Sequence, residues 1–199
     1  MSPQNTQVLL APSASGPPVP QVSFRDSLFS SFRPRVSWNE ATEIFQAEGL
    51  KVLRLVEALP GRLLCRPTRI EPLPGIADGC CRWSAEMVLE HLIEVGAVYG
   101  QIAIELSNGE RPRGDLDLAR KPSGGRGLQI VKDFRAFLGD YAAALREDAR
   151  DPNSTLAFPH PRYGPLTAHG WHALAAFHQG LHRRQMERIV GGLRVAKPR

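Results

Sequence analysis

His178 and His182 stand four residues apart in a C-terminal stretch that holds no proline from Leu166 to Lys197. At roughly 100° per residue the two imidazoles project from adjacent turns of one helical face. Trp171, Leu174, Ala175, Gln185 and Ile189 return to that face, so the histidines lie on an otherwise apolar stripe. Two imidazoles so placed can reach one cation, but the pair needs a third ligand from elsewhere. The competing reading is a pair of core or boundary histidines whose ring nitrogens are satisfied by hydrogen bonds. His91 poses the same choice. It sits in the apolar run Val88, Leu92, Val95, Val98, Tyr99, Ile102 and Leu106, where an imidazole is either a ligand or a single hydrogen-bonded core residue.

Four amphipathic segments must position these side chains. Ser37-Trp38-Asn39-Glu40 is a capping box, and the apolar periodicity behind it runs from Ala41 to Leu59 before Pro60-Gly61. Gly49 interrupts that run and marks a point where the helix can kink. Ser84 caps a second helix, which Ser107-Asn108-Gly109 closes. Leu128, Val131, Phe134, Phe137, Leu138, Tyr141 and Leu145 mark a third, closed near Asp151-Pro152. Thr167 is the N-cap of the fourth. The pattern predicts helices over 38–59, 84–107, 126–149 and 167–191. No segment alternates as a strand does, so the expected class is an all-α four-helix bundle. Between the helices, 62–79 and 111–125 read as connecting segments rich in Pro and Gly; the basic residues of the latter either rim a pocket or, the favoured reading, are solvated. Residues 153–166 read as a rigid loop with His160 at the surface. His172 falls about 120° round from His178 and His169 lies in the first turn, so both are expected to be exposed. His91, His178 and His182 are then the only ones among six histidines on inward stripes.

The 199 residues are enough for one well-buried domain. Residues 1–22, with Gly16-Pro17-Pro18-Val19-Pro20, read as a disordered N-terminal arm, and 23–199 as a single bundle domain. Phe24, Leu28, Phe29 and Phe32 form an apolar lead-in. A net charge of +5 spread over 25 basic and 20 acidic residues permits an anionic small molecule and does not demand nucleic acid. The late cations Arg183, Arg184, Arg188, Arg194, Lys197 and Arg199 have no interleaved aromatic platform, which makes nucleic acid the least favoured partner. Three cysteines without C-x-x-C spacing, no signal-like leader and no membrane-length apolar run indicate a cytoplasmic protein with reduced thiols and no membrane association.

Trp83-Ser84-Ala85-Glu86-Met87-Val88-Leu89-Glu90-His91-Leu92 resembles one sequence block of the DinB-like metal-binding superfamily. His160-Pro161-Arg162-Tyr163-Gly164-Pro165-Leu166-Thr167, followed by Trp171, His178, His182 and Gln185, resembles its second block. The resemblance covers Trp38 to Leu193, and the Pro-rich arm and the basic, Gly-rich loop before the third helix depart from the commoner pattern. It implies an antiparallel four-helix bundle with a long crossover, often a homodimer. It also implies a three-histidine divalent-metal site, which maps onto His91, His178 and His182. Characterised members include transferases and isomerases that use low-molecular-weight thiols such as bacillithiol or mycothiol.

Three neutral imidazoles suit Zn or Ni, with Fe or Co also accommodated. Three protein ligands leave a position open, the arrangement of a catalytic centre acting on a small-molecule substrate, and a metal there activates a ligated thiol or polarises an oxygen. The alternative is a non-catalytic binding or structural bundle with a structural or vestigial three-histidine site. Gln185, one turn after His182, and Glu94, one turn after His91, are candidates to support the ligands, and Cys80 and Cys81 precede the second helix close enough to approach its mouth.

Overall fold

The capping signals produce the helices they announce. In the computed structural model, which describes residues 24–76, 78–113 and 121–195, Ser37 Oγ accepts from the Glu40 N–H while Glu40 returns a bond to the Ser37 N–H at 2.7 Å. This reciprocal cap opens α2, Trp38–Glu57; a cap of this kind is worth about 1 kcal/mol. Ser84 Oγ accepts from the Met87 N–H at 3.2 Å and opens α4, Ala85–Ser107. Thr167 Oγ1 accepts from the Gly170 N–H at 3.3 Å and opens α6, Ala168–Val195. The other long helix is α5, Gln129–Asp148. Two short helices precede and follow α2: α1, Phe24–Phe32, and α3, Gly61–Leu64.

α6 packs against both α2 and α4, and α5 closes the other side against the same two. The successive long helices α2 and α4 thus stand diagonally, joined by the crossover 58–84. Its Thr68 and Ile70 N–H groups donate to the Trp83 and Cys81 carbonyls. The proposed arm, residues 1–22, lies outside the described residues. The lead-in beyond it is α1, whose Phe29 ring sits 4.8 Å from Tyr163 and 5.5 Å from Phe177. These aromatics are used within the chain, so the expected homodimer keeps only the family resemblance as its basis.

α2 runs through Gly49 as one continuous helix; the glycine is buried, and a Cβ there would collide with Leu138 of α5. Two local expectations are corrected. Residues 153–166 are not a loop throughout. β1, Ala157–His160, pairs antiparallel with β2, Gly164–Thr167, in the register Phe158↔Leu166 and Pro159↔Pro165. The two prolines face each other, so the donors both lack are missing at a single pair. The Trp171 indole N–H donates to the Phe158 carbonyl at 3.2 Å and pins this hairpin to α6. α4 is long and apolar enough to cross a membrane by length and composition. That apolarity belongs to the core, because most of the helix is buried among the others.

Candidate metal centre

His91 on α4 and His178 and His182 on α6 converge. One ring nitrogen from each lies within 4.8 Å of the other two, and His91 Nε2 is 3.1 Å from His178 Nε2. Ring centroids are separated by 4.4–5.0 Å around the trio. Burial pushes His91 down to about 4, from the usual 6.5. Burial also holds His178 well below 6.5, and the neighbouring His182, His91 and His160 add to the effect. The neutral imidazoles that result have lone pairs to offer a metal. Nitrogens bound at ~2.0–2.1 Å to a tetrahedral zinc lie roughly 3.3 Å apart; the His91–His178 pair is close to that spacing, and His182 completes the set within 4.8 Å.

Gln185 is tied to His182: His182 Nδ1 and Gln185 Oε1 are 2.6 Å apart, and Gln185 Nε2 donates to the Cys80 carbonyl at 2.8 Å. Trp83 walls the trio, its ring centroid 5.0 Å from His91 and stacked 6.1 Å from His182. Glu94 is half-buried on α4 and is not among the residues lining the cavity beside the trio. The structure therefore joins Gln185 to the cluster. Cys80 lines that cavity, whereas Cys81 lies on another face with Arg69 and Ile70.

The cavity has a volume of about 420 Å³, within the range that holds a small ligand. Its walls are largely apolar and aromatic, with Ile76, Trp83, Tyr99, Tyr163, Leu174, Phe177 and Leu181, and the three imidazoles open into it. Lys121 and Arg162 also line it. Lys121 is solvent-exposed as expected and at the same time contributes to this wall. Its loop is clipped to α4: Glu90 accepts from Ser123 Oγ at 2.9 Å and the Gly124 N–H at 2.7 Å, and Glu86 accepts from the Gly127 N–H at 2.8 Å.

The remaining histidines differ from their expected places. His160 is buried, at the end of β1, because the hairpin folds over the cavity instead of standing out as a loop. Its Nδ1 accepts from the Arg162 and Tyr163 N–H groups at 3.0 and 3.2 Å. His172 is completely buried; Nδ1 bonds to Tyr141 Oη at 2.9 Å, and Nε2 lies 2.9 Å from Thr42 Oγ1 and 3.1 Å from the Trp38 carbonyl. α6 is covered on two faces, by α2 and by α4, so a position well round from His178 is interior as well. His169 is half-buried, with Nε2 2.7 Å from the Val36 carbonyl. Among the cavity residues, Tyr99, Trp83, Lys121 and His160 carried no ligand-like spacing. The two blocks of the family resemblance, one opening on Trp83 and one on His160, were the signal, and in the second the H-P dipeptide read as surface.

Residues 37–186 match the sequence profile of the DinB superfamily. Comparison with curated proteins found no match. Among solved structures the chain is similar to one described as "Crystal structure of TT2238, a four-helix bundle protein", with 26% identity and a TM-score of 0.50, covering 76% of this chain and 98% of that one.

Proposed function

The chain belongs to the DinB superfamily, and from that premise we propose that it is a divalent-metal-dependent enzyme acting on a small molecule. His91, His178 and His182 are the ligands in this reading, and Gln185 orients His182. The observation that carries it is the convergence of three imidazoles, two of them, His91 and His178, kept neutral by burial, at the wall of an open, largely apolar cavity. A structural metal would be closed by a fourth protein ligand. Here the space beside the trio is cavity, which favours catalysis.

A divalent ion held there supplies Lewis acidity to an oxygen or sulfur of a molecule in the cavity. The chain's own contribution is to keep His91 and His178 deprotonated by burial, to fix the His182 ring, and to exclude bulk water with Trp83, Tyr99, Phe177 and Leu181. Zn and Ni are the ions such a donor set serves best, with Fe and Co next. Transfer or isomerisation involving a low-molecular-weight thiol is the reaction class, carried out in the cytoplasm by a homodimer.

Elemental analysis of protein purified without an affinity tag tests the reading. We expect one divalent ion per chain, lost in His91→Ala, His178→Ala and His182→Ala. A wild-type protein that carries no metal and takes none up when Zn²⁺ or Ni²⁺ is added would leave a non-catalytic bundle.

A further inference from the structure

We propose that Tyr99 is a hydrogen-bond donor to the substrate, its hydroxyl hydrogen turned into the cavity by His160 to hold a carbonyl oxygen of the bound molecule. The inference rests on the reading of this cavity as the substrate site, and it adds a recognition residue and the functional group recognised.

The direction of that hydrogen follows from the backbone of the hairpin. The Arg162 and Tyr163 N–H groups donate to His160 Nδ1 at 3.0 and 3.2 Å, so Nδ1 is the acceptor nitrogen and carries no proton. The same two bonds fix the orientation of the ring, because a ring turned over would set a carbon against both donors. His160 therefore bears its hydrogen on Nε2, which faces Tyr99 Oη at 3.5 Å, the outer limit of a hydrogen bond. Two hydrogens cannot share that gap. Tyr99 Oη takes the acceptor's part there, and its own hydrogen points elsewhere.

Packing makes the cavity its destination. Tyr99 stands on the stripe of α4 that carries His91, is 5% exposed, and lines the cavity together with His160 and His178. Its ring lies 5.4 Å from that of Trp171 and 5.6 Å from that of His178, centroid to centroid. The Trp171 N–H is already given to the Phe158 carbonyl. Among the described residues His160 is the hydrogen-bond partner of Tyr99 Oη, and none accepts its hydrogen. A buried O–H without an acceptor is costly, and an oxygen of the bound molecule relieves that cost. The rings around the hydroxyl, those of His160, Trp171 and His178, are uncharged. One neutral donor among them offsets the desolvation of a carbonyl but not that of a charge, so a ketone, aldehyde, amide or ester oxygen is the group it fits.

The test uses the full chain with two probes, acetophenone and its isostere α-methylstyrene, in which a CH₂ group replaces the carbonyl oxygen. Infrared difference spectra of carbonyl-labelled acetophenone should show its C=O stretch lowered in the wild type, as a hydrogen bond requires, and not in Tyr99→Phe. By calorimetry the advantage of acetophenone over α-methylstyrene should fall about 2–10-fold in that variant, with α-methylstyrene itself bound as before. His160→Asn places an oxygen where Nδ1 was, which keeps the turn and removes the Nε2–H. The hydroxyl then loses its fixed direction, and the lowered band should weaken and broaden. A lowered stretch that survives in Tyr99→Phe, an unchanged band in His160→Asn, or no binding of either probe overturns the proposal. The spectra are repeated after treatment with a chelator: a shift that remains belongs to Tyr99, and one that vanishes belongs to a metal and overturns the proposal. Zn²⁺ titration of the same protein separates the two readings. Metal binding without the Tyr99-dependent shift sinks only this role, and the reverse sinks only the metal centre.

Discussion

Gln185 Oε1 lies 2.6 Å from His182 Nδ1, and the far end of the same amide fixes what that contact is. Because Gln185 Nε2 donates to the Cys80 carbonyl, the amide cannot be flipped, and its oxygen must accept from a protonated Nδ1. His182 is thus held as the tautomer that carries its lone pair on Nε2. Gln185→Ala should weaken Zn²⁺ or Ni²⁺ binding about 10–100-fold with all three histidines in place. Unchanged affinity in a competition titration would remove Gln185 from the centre.

Melting with and without metal should sort the histidines. In wild type, Zn²⁺ or Ni²⁺ at about 100 times its dissociation constant should stabilise by about 2.7 kcal/mol. His91→Ala, His178→Ala and His182→Ala should lose that rise. His172→Ala should start from a lower melting point, since buried Tyr141 and half-buried Thr42 each lose a bond, and should keep the rise. A metal-driven rise that persists in any of the first three would exclude that residue as a ligand.

His172 gives the fold a pH dependence. Burial is the main cause that pushes it down to about 4, against a partial offset from the Trp38 carbonyl. The unfolded chain takes up a proton as pH falls through about 6.5, while the folded chain resists until about 4, so stability declines across that window. Between about pH 7.5 and 4.5 this residue's share is about 2–3 kcal/mol. Urea unfolding should show the decline reduced by that amount in His172→Gln. An equal decline in variant and wild type would contradict the burial argument.

Gly96 and Gly100, four apart on α4, receive Phe137 and Tyr141, four apart on α5. A Cβ at Gly100 would come 2.8 Å from Tyr141 Cε2, and one at Gly96 2.7 Å from Phe137 Cζ. Tyr141 cannot easily retreat, as it stacks on Phe45 at 3.8 Å and bonds to His172. Gly100→Ala should therefore destabilise by about 1–3 kcal/mol, although alanine is the better helix former by about 1 kcal/mol. A stabilised variant in chemical denaturation would show that α5 can shift.

The helices were legible because their determinants are local: a capping serine, a Glu at the third position and a run of apolar residues at helical spacing need no partner to be read. His178 and His182 were legible for the same reason, since their separation along one helix fixes their separation in space. His91 could be placed on an inward stripe but joined to that pair only through the family resemblance, because its contact spans two helices. His172 and His160 were misjudged where tertiary coverage decides. The first is interior because α6 has neighbours on two sides, the second because four-residue strands bearing Pro159 and Pro165 are too short to show alternation. Lys121 reaches the cavity through carboxylate clips at Glu86 and Glu90, which no periodicity encodes.

Trp83 stands edge-on to His91 and parallel to His182, with an interplanar angle of 7° to the latter. An indole at that distance from the three imidazoles is a built-in optical probe of whatever they hold. A paramagnetic ion such as Ni²⁺ in the trio should quench Trp83 emission, whereas Zn²⁺, with its filled d shell, should leave the intensity largely intact. Trp38, 4.6 Å from His172, and Trp171, 5.2 Å from His160, lie against other histidines, so Trp83→Phe should remove most of the Ni²⁺-dependent change. The occupancy of the centre can then be followed in light emitted by the chain itself, with no label attached and no substrate known.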